Sequence, residues 1–251
     1  MTYSIVARDR ETGHLAIAVA SRFFAVGALV PHLGRRAAVA TQAYVNPCWG
    51  TEGLARLEAG EAAGAVLADL RGRDAGEAIR QAHLIDAEGR MAAHTGQGCV
   101  DWAGHAAGEG VSVAGNMLAG PEVVAETLAA YEAHAALPLA ERLLAAMEAG
   151  EAAGGDKRGR QSAAVRIHRG EAHPWLDMRV DDHADPLAEL RRLLAVAGER
   201  YLLFAEALPT EERFSGLPSR EGVDREIAEA EAARARAGIL SASQASPARR
   251  R

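Results

Sequence analysis

Cysteine is nearly missing from this chain: Cys48 and Cys99 are the two among 251 residues, and they stand far apart. That is too few for a disulfide framework, and free thiols in a reducing cytoplasm are the simpler expectation. Aromatic residues make up 4% of the sequence, so the core must be assembled from small side chains. Positive charge is not in excess either. With a formal net charge of -6, no zinc-knuckle spacing and no aromatic stacking motif, nucleic acid is excluded as a partner. No segment has the unbroken apolar length of a membrane span. Arg8, Asp9 and Arg10 fall where a signal peptide would carry its apolar region. The expectation is a soluble cytoplasmic protein acting on a small molecule.

Cofactor signatures are missing as well. Neither a phosphate loop nor a dinucleotide glycine motif follows a strand, and no H-E-x-x-H spacing occurs. Asp181, Asp182, His183 and Asp185 have the chemistry of metal ligands. The same residues also suit a helix start at Asp185-Pro186, where acidic side chains complement the dipole. The expectation is therefore no metal and no organic cofactor. Cys48, near a helix start, has the chemistry of a nucleophile, but a thiol buried beside Trp49 is the plainer assignment.

What is present is an alternation of strands and helices. Tyr3–Arg8 and Leu15–Ala20 form a hairpin around the turn 9–13. A strand over Arg36–Thr41 precedes a helix capped by Thr51 and ending at Ala59, a helix over Glu61–Leu70, and a third over Ala75–Gln81 capped by Asp74. Strands return at His83–Asp86, Arg90–Thr95, Cys99–Trp102 and Val111–Gly115. Gly120-Pro121 opens a helix through Tyr131, and Leu137–Glu148 forms its partner. Strands Ser162–His168 and Trp175–Val180 bracket a turn at Arg169-Gly170, and a helix spans Leu187–Leu208. Hairpins mean antiparallel pairs, and paired helices need apolar faces to rest on. The order thus predicts an α+β, four-layer αββα sandwich of two antiparallel sheets over residues 1–208. Residues 209–251 read as a charged helical extension, centred on Glu221–Gly238, with a disordered tail.

The first strand begins on Thr2. Initiator methionine is normally removed ahead of so small a residue, which leaves a hydroxyl nucleophile and a free amine, of pKa about 7.7–8.0, on one residue. Polar, glycine-flanked clusters stand at other strand ends: Ser21-Arg22, Thr41-Gln42 with Asn46-Pro47, Gly115-Asn116, and the run from Gly154 to Ser162. Asn116 and Asn46 sit in strand-to-helix loops, where a side-chain amide and helix-start amides can form an oxyanion hole; a turn cap is the commoner use of such a residue. In the last cluster Asp156 can orient an amine while Arg158 or Arg160 grips a carboxylate, although a charged run of this kind is usually a solvated loop.

These segments resemble a known family. Thr2-Tyr-Ser-Ile-Val-Ala-Arg-Asp, Ala18-Val-Ala-Ser-Arg-Phe-Phe-Ala-Val-Gly, Ala38-Val-Ala-Thr-Gln, Asn46-Pro, Gly115-Asn-Met-Leu-Ala-Gly, Gly155-Asp-Lys-Arg-Gly-Arg-Gln-Ser and Val180-Asp-Asp-His are similar, in order over residues 2–205, to the domain-of-unknown-function family numbered 1028. That family is placed in the N-terminal-nucleophile hydrolase-like superfamily, whose fold is the same four-layer sandwich. The resemblance implies an amide hydrolase with Thr2 as nucleophile, and Ser21 and Arg22 as the segment supporting it. Ala20 stands where proteasome-type relatives carry an acid, and Arg35 or Arg36 falls where they carry a lysine. Asp156 and Ser162 match the residues that contact the terminal amine.

The expected function is hydrolysis of a small anionic amide or peptide-like substrate. Catalysis falls to Thr2, Ser21, Asn116 and Asp156, and substrate binding to Arg22, Gln42, Asn46, Arg158 and Arg160. The alternative is a non-catalytic small-molecule-binding protein of the same fold. The small-residue sheets and exposed helices leave room for a homodimer.

Overall fold

Small residues alternate along strands that are buried on both faces, and this pattern organises the computed structural model, which describes residues 2–245. Strands β1 (Thr2–Arg8) and β2 (Leu15–Ser21) are almost wholly buried. They sit in the middle of an antiparallel six-stranded sheet with β7 (Trp102–Gly108), β8 (Val111–Leu118), β9 (Ser162–His168) and β10 (Leu176–Val180), in the order β10-β9-β2-β1-β8-β7. A second antiparallel sheet has the order β3-β4-β5-β6, from β3 (Pro31–Leu33), β4 (Ala38–Ala43), β5 (Arg80–Ile85) and β6 (Met91–Thr95).

Helices α4 (Glu122–Ala133) and α5 (Leu139–Ala152) pack on the outer face of the larger sheet. Helices α2 (Pro47–Glu58) and α3 (Ala63–Arg73) pack on the smaller one, and the two sheets face each other through β1, β2, β4, β5 and β8. Leu57, Val66, Leu67 and Leu70 meet Val39, Ala82 and Leu84 under the helices of the smaller sheet.

Alternation along β1 fixes what lies between the sheets. Tyr3 turns outward, and its hydroxyl donates to the Met147 carbonyl of α5 at 2.8 Å. Thr2, Ser4 and Val6 turn inward. At the Val6 end the interface is apolar, with Ile17, Val19, Ala40 and Ile85. At the Thr2 end it is polar. A short helix α1 (Val26–Leu29) closes that end, with Val26 and Val30 joined to the apolar cluster.

Several expected boundaries moved. Thr51 is not a cap: α2 starts at Pro47, with Asn46 accepting the Cys48 amide. Asp74 ends α3 rather than opening a helix, and β5 begins at Arg80, after one turn of 3-10 helix over Glu77–Ile79. The strand expected at Cys99–Trp102 runs over Trp102–Gly108, held by its pairing with β8. The helix expected over Leu187–Leu208 breaks at Arg200, leaving α6 (Pro186–Glu199) and α7 (Tyr201–Ala205).

The chain divides into two compact units, Met1–Leu190 and Arg191–Arg251. The second carries α8 (Glu221–Arg236). There the Glu199 carboxylate accepts from Ser241 Oγ and from the Ala242 amide, both at 2.7 Å, so the tail is tied at that point. The rest of the tail expected to be disordered, 246–251, lies outside the described residues. No described helix is long and apolar enough to cross a membrane.

Candidate functional site

Strand register assembles the site. Thr2 stands opposite Asn116 on β8. The pairing of Tyr3 with Ala20 sets Thr2 beside Ser21 on β2, and Ser21 stands opposite Ser162 on β9. Asn116, Thr2, Ser21 and Ser162 thus form a polar row across adjacent strands at one end of the larger sheet, each at most 6% exposed. Thr2 Oγ1 donates to Ser21 Oγ at 3.3 Å. Ser162 Oγ donates to the Phe23 carbonyl at 2.5 Å and accepts from the Val26 amide at 3.1 Å, which pins the start of α1 to β9.

Asp156 is 4% exposed and straps the loop after α5 to the end of β2. Its Oδ2 accepts the Arg22 amide at 2.7 Å, and its Oδ1 accepts the Arg158 amide at 2.9 Å. Next to this row lies a cavity of about 70 Å³, lined by Thr2, by Phe23, Val26, Leu29 and Val30 around α1, and by Gln42, Ala43 and Val45 at the end of β4.

Beneath Thr2 a hydrogen-bonded network fills the space between the sheets. Gln42 Oε1 accepts from Ser4 Oγ at 2.6 Å, and its Nε2 donates to Gln81 Oε1 at 2.9 Å and to the Ala114 carbonyl at 3.2 Å. Asn116 Nδ2 donates to Gln81 Oε1 at 2.9 Å and to the carbonyl of Thr2 at 3.4 Å. Gln81 Nε2 in turn donates to the Gly115 carbonyl and to Thr95 Oγ1, both at 2.8 Å. His83 lies between Ser4 Oγ at 2.8 Å and Ser112 Oγ at 3.0 Å. Burial pushes its pKa down to about 3, with His105 adding a repulsive contribution. Because the Ser4 hydroxyl donates to Gln42, it accepts from His83 Nε2–H, which leaves Nδ1 to accept from Ser112.

Three non-glycine residues near the site have left-handed backbones. Ala43 (φ 69) lines the cavity, Met117 (φ 55) follows Asn116, and Ala25 (φ 54) precedes α1. Such conformations cost about 1–2 kcal/mol each for a residue with a Cβ and concentrate at functional sites.

The structure brings together Thr2, Ser21, Asn116, Ser162 and Gln42, with Asp156 behind Arg22. Other expected residues have partners elsewhere. Asn46 donates to Asp74 Oδ2 at 2.9 Å besides capping α2; Asp74 is held at a pKa of about 2, chiefly by the Arg80 hydrogen bond. Arg158 pairs with Asp156 at 3.3 Å, and Arg160 with Glu151 at 2.6 Å and Asp185 at 2.9 Å. Arg22 Nη1 reaches the Arg160 carbonyl at 3.5 Å. Arg35 donates to the Gly170 carbonyl, and Arg36 to the Glu58 carbonyl.

The Asp181–Asp185 run does not converge. Asp181 pairs with Arg179, Asp182 accepts from Gln161, and His183 Nδ1 accepts the Asp185 amide. Among the described residues no group of three or more His, Cys, Asp or Glu is placed to hold a metal. Cys48 is exposed rather than buried.

Gln81 and His83 escaped the sequence reading. The helix expected up to Gln81 hid the alternation Gln81-Ala82-His83-Leu84, whose polar positions face the other sheet while Ala82 and Leu84 face the helices.

A family model described as a family of unknown function, DUF1028, matches residues 2–190. The crystal structure of protein SPO2555 from Silicibacter pomeroyi, described as a DUF1028 protein, superposes with a TM-score of 0.80 at 31% sequence identity, covering 87% of this chain and 96% of that one. No curated protein matches the chain. The family match spans the unit that contains both sheets and every residue of the polar row, and the chain belongs to this family of unknown function, DUF1028.

Proposed function

We propose that the chain is an amide hydrolase whose nucleophile is Thr2, exposed as the first residue once Met1 is removed. The observation that carries this reading is the position of Thr2. It begins a central strand, its hydroxyl touches Ser21 Oγ at 3.3 Å, and it lines a cavity able to admit part of a substrate.

Thr2 Oγ attacks the carbonyl carbon of a small amide, and its proton passes to the Thr2 amine, directly or through a water. The resulting tetrahedral oxyanion needs a donor. Asn116 Nδ2 holds Gln81 firmly with one hydrogen and the Thr2 carbonyl only at 3.4 Å with the other, and the second hydrogen is assigned to the oxyanion. Collapse breaks the carbon–nitrogen bond, the ammonium returns its proton to the leaving amine, and an ester on Thr2 remains. Water, deprotonated by the same amine, then hydrolyses the ester. Ser21 orients the hydroxyl, and Asp156 fixes the β2 end that carries Ser21 and Arg22. Arg22, whose guanidinium contacts a carbonyl rather than a carboxylate, is the residue offered to an anionic end of the substrate.

Intact-mass analysis of the purified protein, before and after incubation with a threonine-directed electrophile, tests the reading. The expected result is loss of Met1 and one adduct mapped to Thr2, absent in Thr2→Ala. Retained Met1, or an adduct elsewhere, removes the hydrolase.

One observation favours a second reading, a binding protein of the same architecture. Ala20, buried at 4% exposure, holds the β2 position where proteasome-type relatives carry an acid, so Ser21 has no carboxylate beside it on that strand. A saturable ligand without turnover or adduct would select this reading.

A further inference from the structure

Arg158 and Arg160, two of the arginines that suggested an anionic substrate, already have acidic partners, and the cavity beside Thr2 is apolar. Phe23, Val26, Leu29, Val30 and Val45 supply most of its wall. Gln42 also lines it, but its amide is committed, with the oxygen on Ser4 and the nitrogen on Gln81 and Ala114. Among the described residues that line the cavity, none is charged. A carboxylate placed there would lose its water and find no charged side chain in the wall, a cost of several kcal/mol.

Size narrows the ligand further. The cavity holds about 70 Å³. A dry cavity of ~150 Å³ takes a benzene ring, so on that scale this one takes about three heavy atoms. Its walls are unequal. Val26 and Val30 are buried at 2% and 3% exposure in the inter-sheet core, and α1 lies tight on β9, where Gly27 leaves no room for a Cβ beside Ala164. Leu29, at 36%, is free to yield, and Phe23, at 54%, offers its exposed ring to the remainder of a substrate.

We propose that this cavity is the recognition pocket for a short, uncharged aliphatic group, about three carbons in size, joined directly to the carbonyl that Thr2 attacks. Any negative charge on the substrate belongs to the other side of the scissile bond, outside the cavity. The proposal rests on the Thr2 hydrolase reading for its carbonyl, but its test does not require turnover.

Isobutyramide, benzamide and succinamate are titrated into the full chain carrying carbon-13 methyl labels, and the Val26, Val30 and Leu29 methyl signals are followed. Isobutyramide is expected to shift these methyls saturably, with benzamide and succinamate bound about ten-fold more weakly or worse. Leu29→Ala should open the wall and bring benzamide within about three-fold of isobutyramide. Equal binding of the three amides, a preference for succinamate, or no shift of these methyls by isobutyramide overturns the pocket, and the wild-type series decides this even if the variant fails to fold. Isobutyramide binding without electrophile labelling of Thr2 would leave the pocket and remove the nucleophile. Labelling of Thr2 without size selection would do the reverse.

Discussion

Gln81 Oε1 lies 2.9 Å from Asn116 Nδ2 and accepts its hydrogen, so a residue of the smaller sheet holds the side chain that reaches the Thr2 carbonyl. The same oxygen accepts Gln42 Nε2, and the Gln81 amide nitrogen returns hydrogens to the larger sheet at Gly115. Gln81 is fully buried, so water cannot replace any of these bonds. Gln81→Leu would leave one amide hydrogen each of Gln42 and Asn116 without its acceptor and would remove the Gln81 donor from the Gly115 carbonyl. At about 1–3 kcal/mol for each unsatisfied group, partly relieved by rearrangement, a loss of at least about 3 kcal/mol is expected in urea unfolding. A loss below about 1 kcal/mol would mean that the network carries little of the contact between the sheets.

The neutral state of His83 makes stability depend on pH. Its folded pKa of about 3 lies below the ordinary value of 6.5, so the unfolded chain binds the proton first. The contribution is complete above about pH 6.5 and is lost as pH falls toward 3, at about 1.4 kcal/mol per pH unit at the steepest. His83→Gln has no proton to take up. Its stability between pH 6 and pH 4 should therefore fall less steeply than that of the wild type by about that slope. Parallel curves would show that His83 titrates normally.

Much of the architecture was legible because it depends on local pattern. Ser162–His168 is a strand with the expected ends, and the first hairpin differs by single residues. β3, of three residues, and α1, of four, are too short to show a period. β7, sequence Trp-Ala-Gly-His-Ala-Ala-Gly, has little strand propensity and owes its existence to β8. The site divided in the same way. Thr2, Ser21 and Asn116 could be picked out as polar residues at strand ends. Their alignment into one row is a matter of register between strands distant in sequence. Arg158 and Arg160 look like substrate grips because a sequence does not show that Asp156, Glu151 and Asp185 face them.

Gly27 tests whether the cavity needs α1 seated tightly on β9. A Cβ at this position would overlap the Cβ of Ala164 and come within 3.1 Å of Arg179 Cγ. Gly27→Ala must push α1 outward, and overpacking of this kind costs about 1–3 kcal/mol. Val26, Leu29 and Val30 move with the helix, so selectivity between isobutyramide and benzamide should shrink along with the melting temperature. Gly64→Ala, on α3 with open space around its Cβ position, is the control and should be neutral or slightly stabilising. Equal behaviour of the two variants would show that α1 is not held by this contact.

Asp156 gives the sharpest separation between folding and site geometry. Its carboxylate accepts the Arg22 amide at 2.7 Å and the Arg158 amide at 2.9 Å, and it is almost fully buried. Asp156→Ala removes both acceptors and should cost about 2–4 kcal/mol, since hydrogen bonds to charged groups contribute about 1.5–3 kcal/mol each and part of the loss is recovered by water. Asp156→Asn keeps one carbonyl oxygen for the Arg22 amide and should lose about half as much. Hydrogen exchange at Arg22 reads the local effect: protection should fall steeply in the alanine variant and modestly in the asparagine variant, while Val6 and Ile17 in the apolar half stay protected. If Arg22 exchanges at the wild-type rate in Asp156→Ala, the strap between the loop and β2 does not hold the end of the strand that carries Ser21. The support assigned to Asp156 behind Thr2 would fall with it.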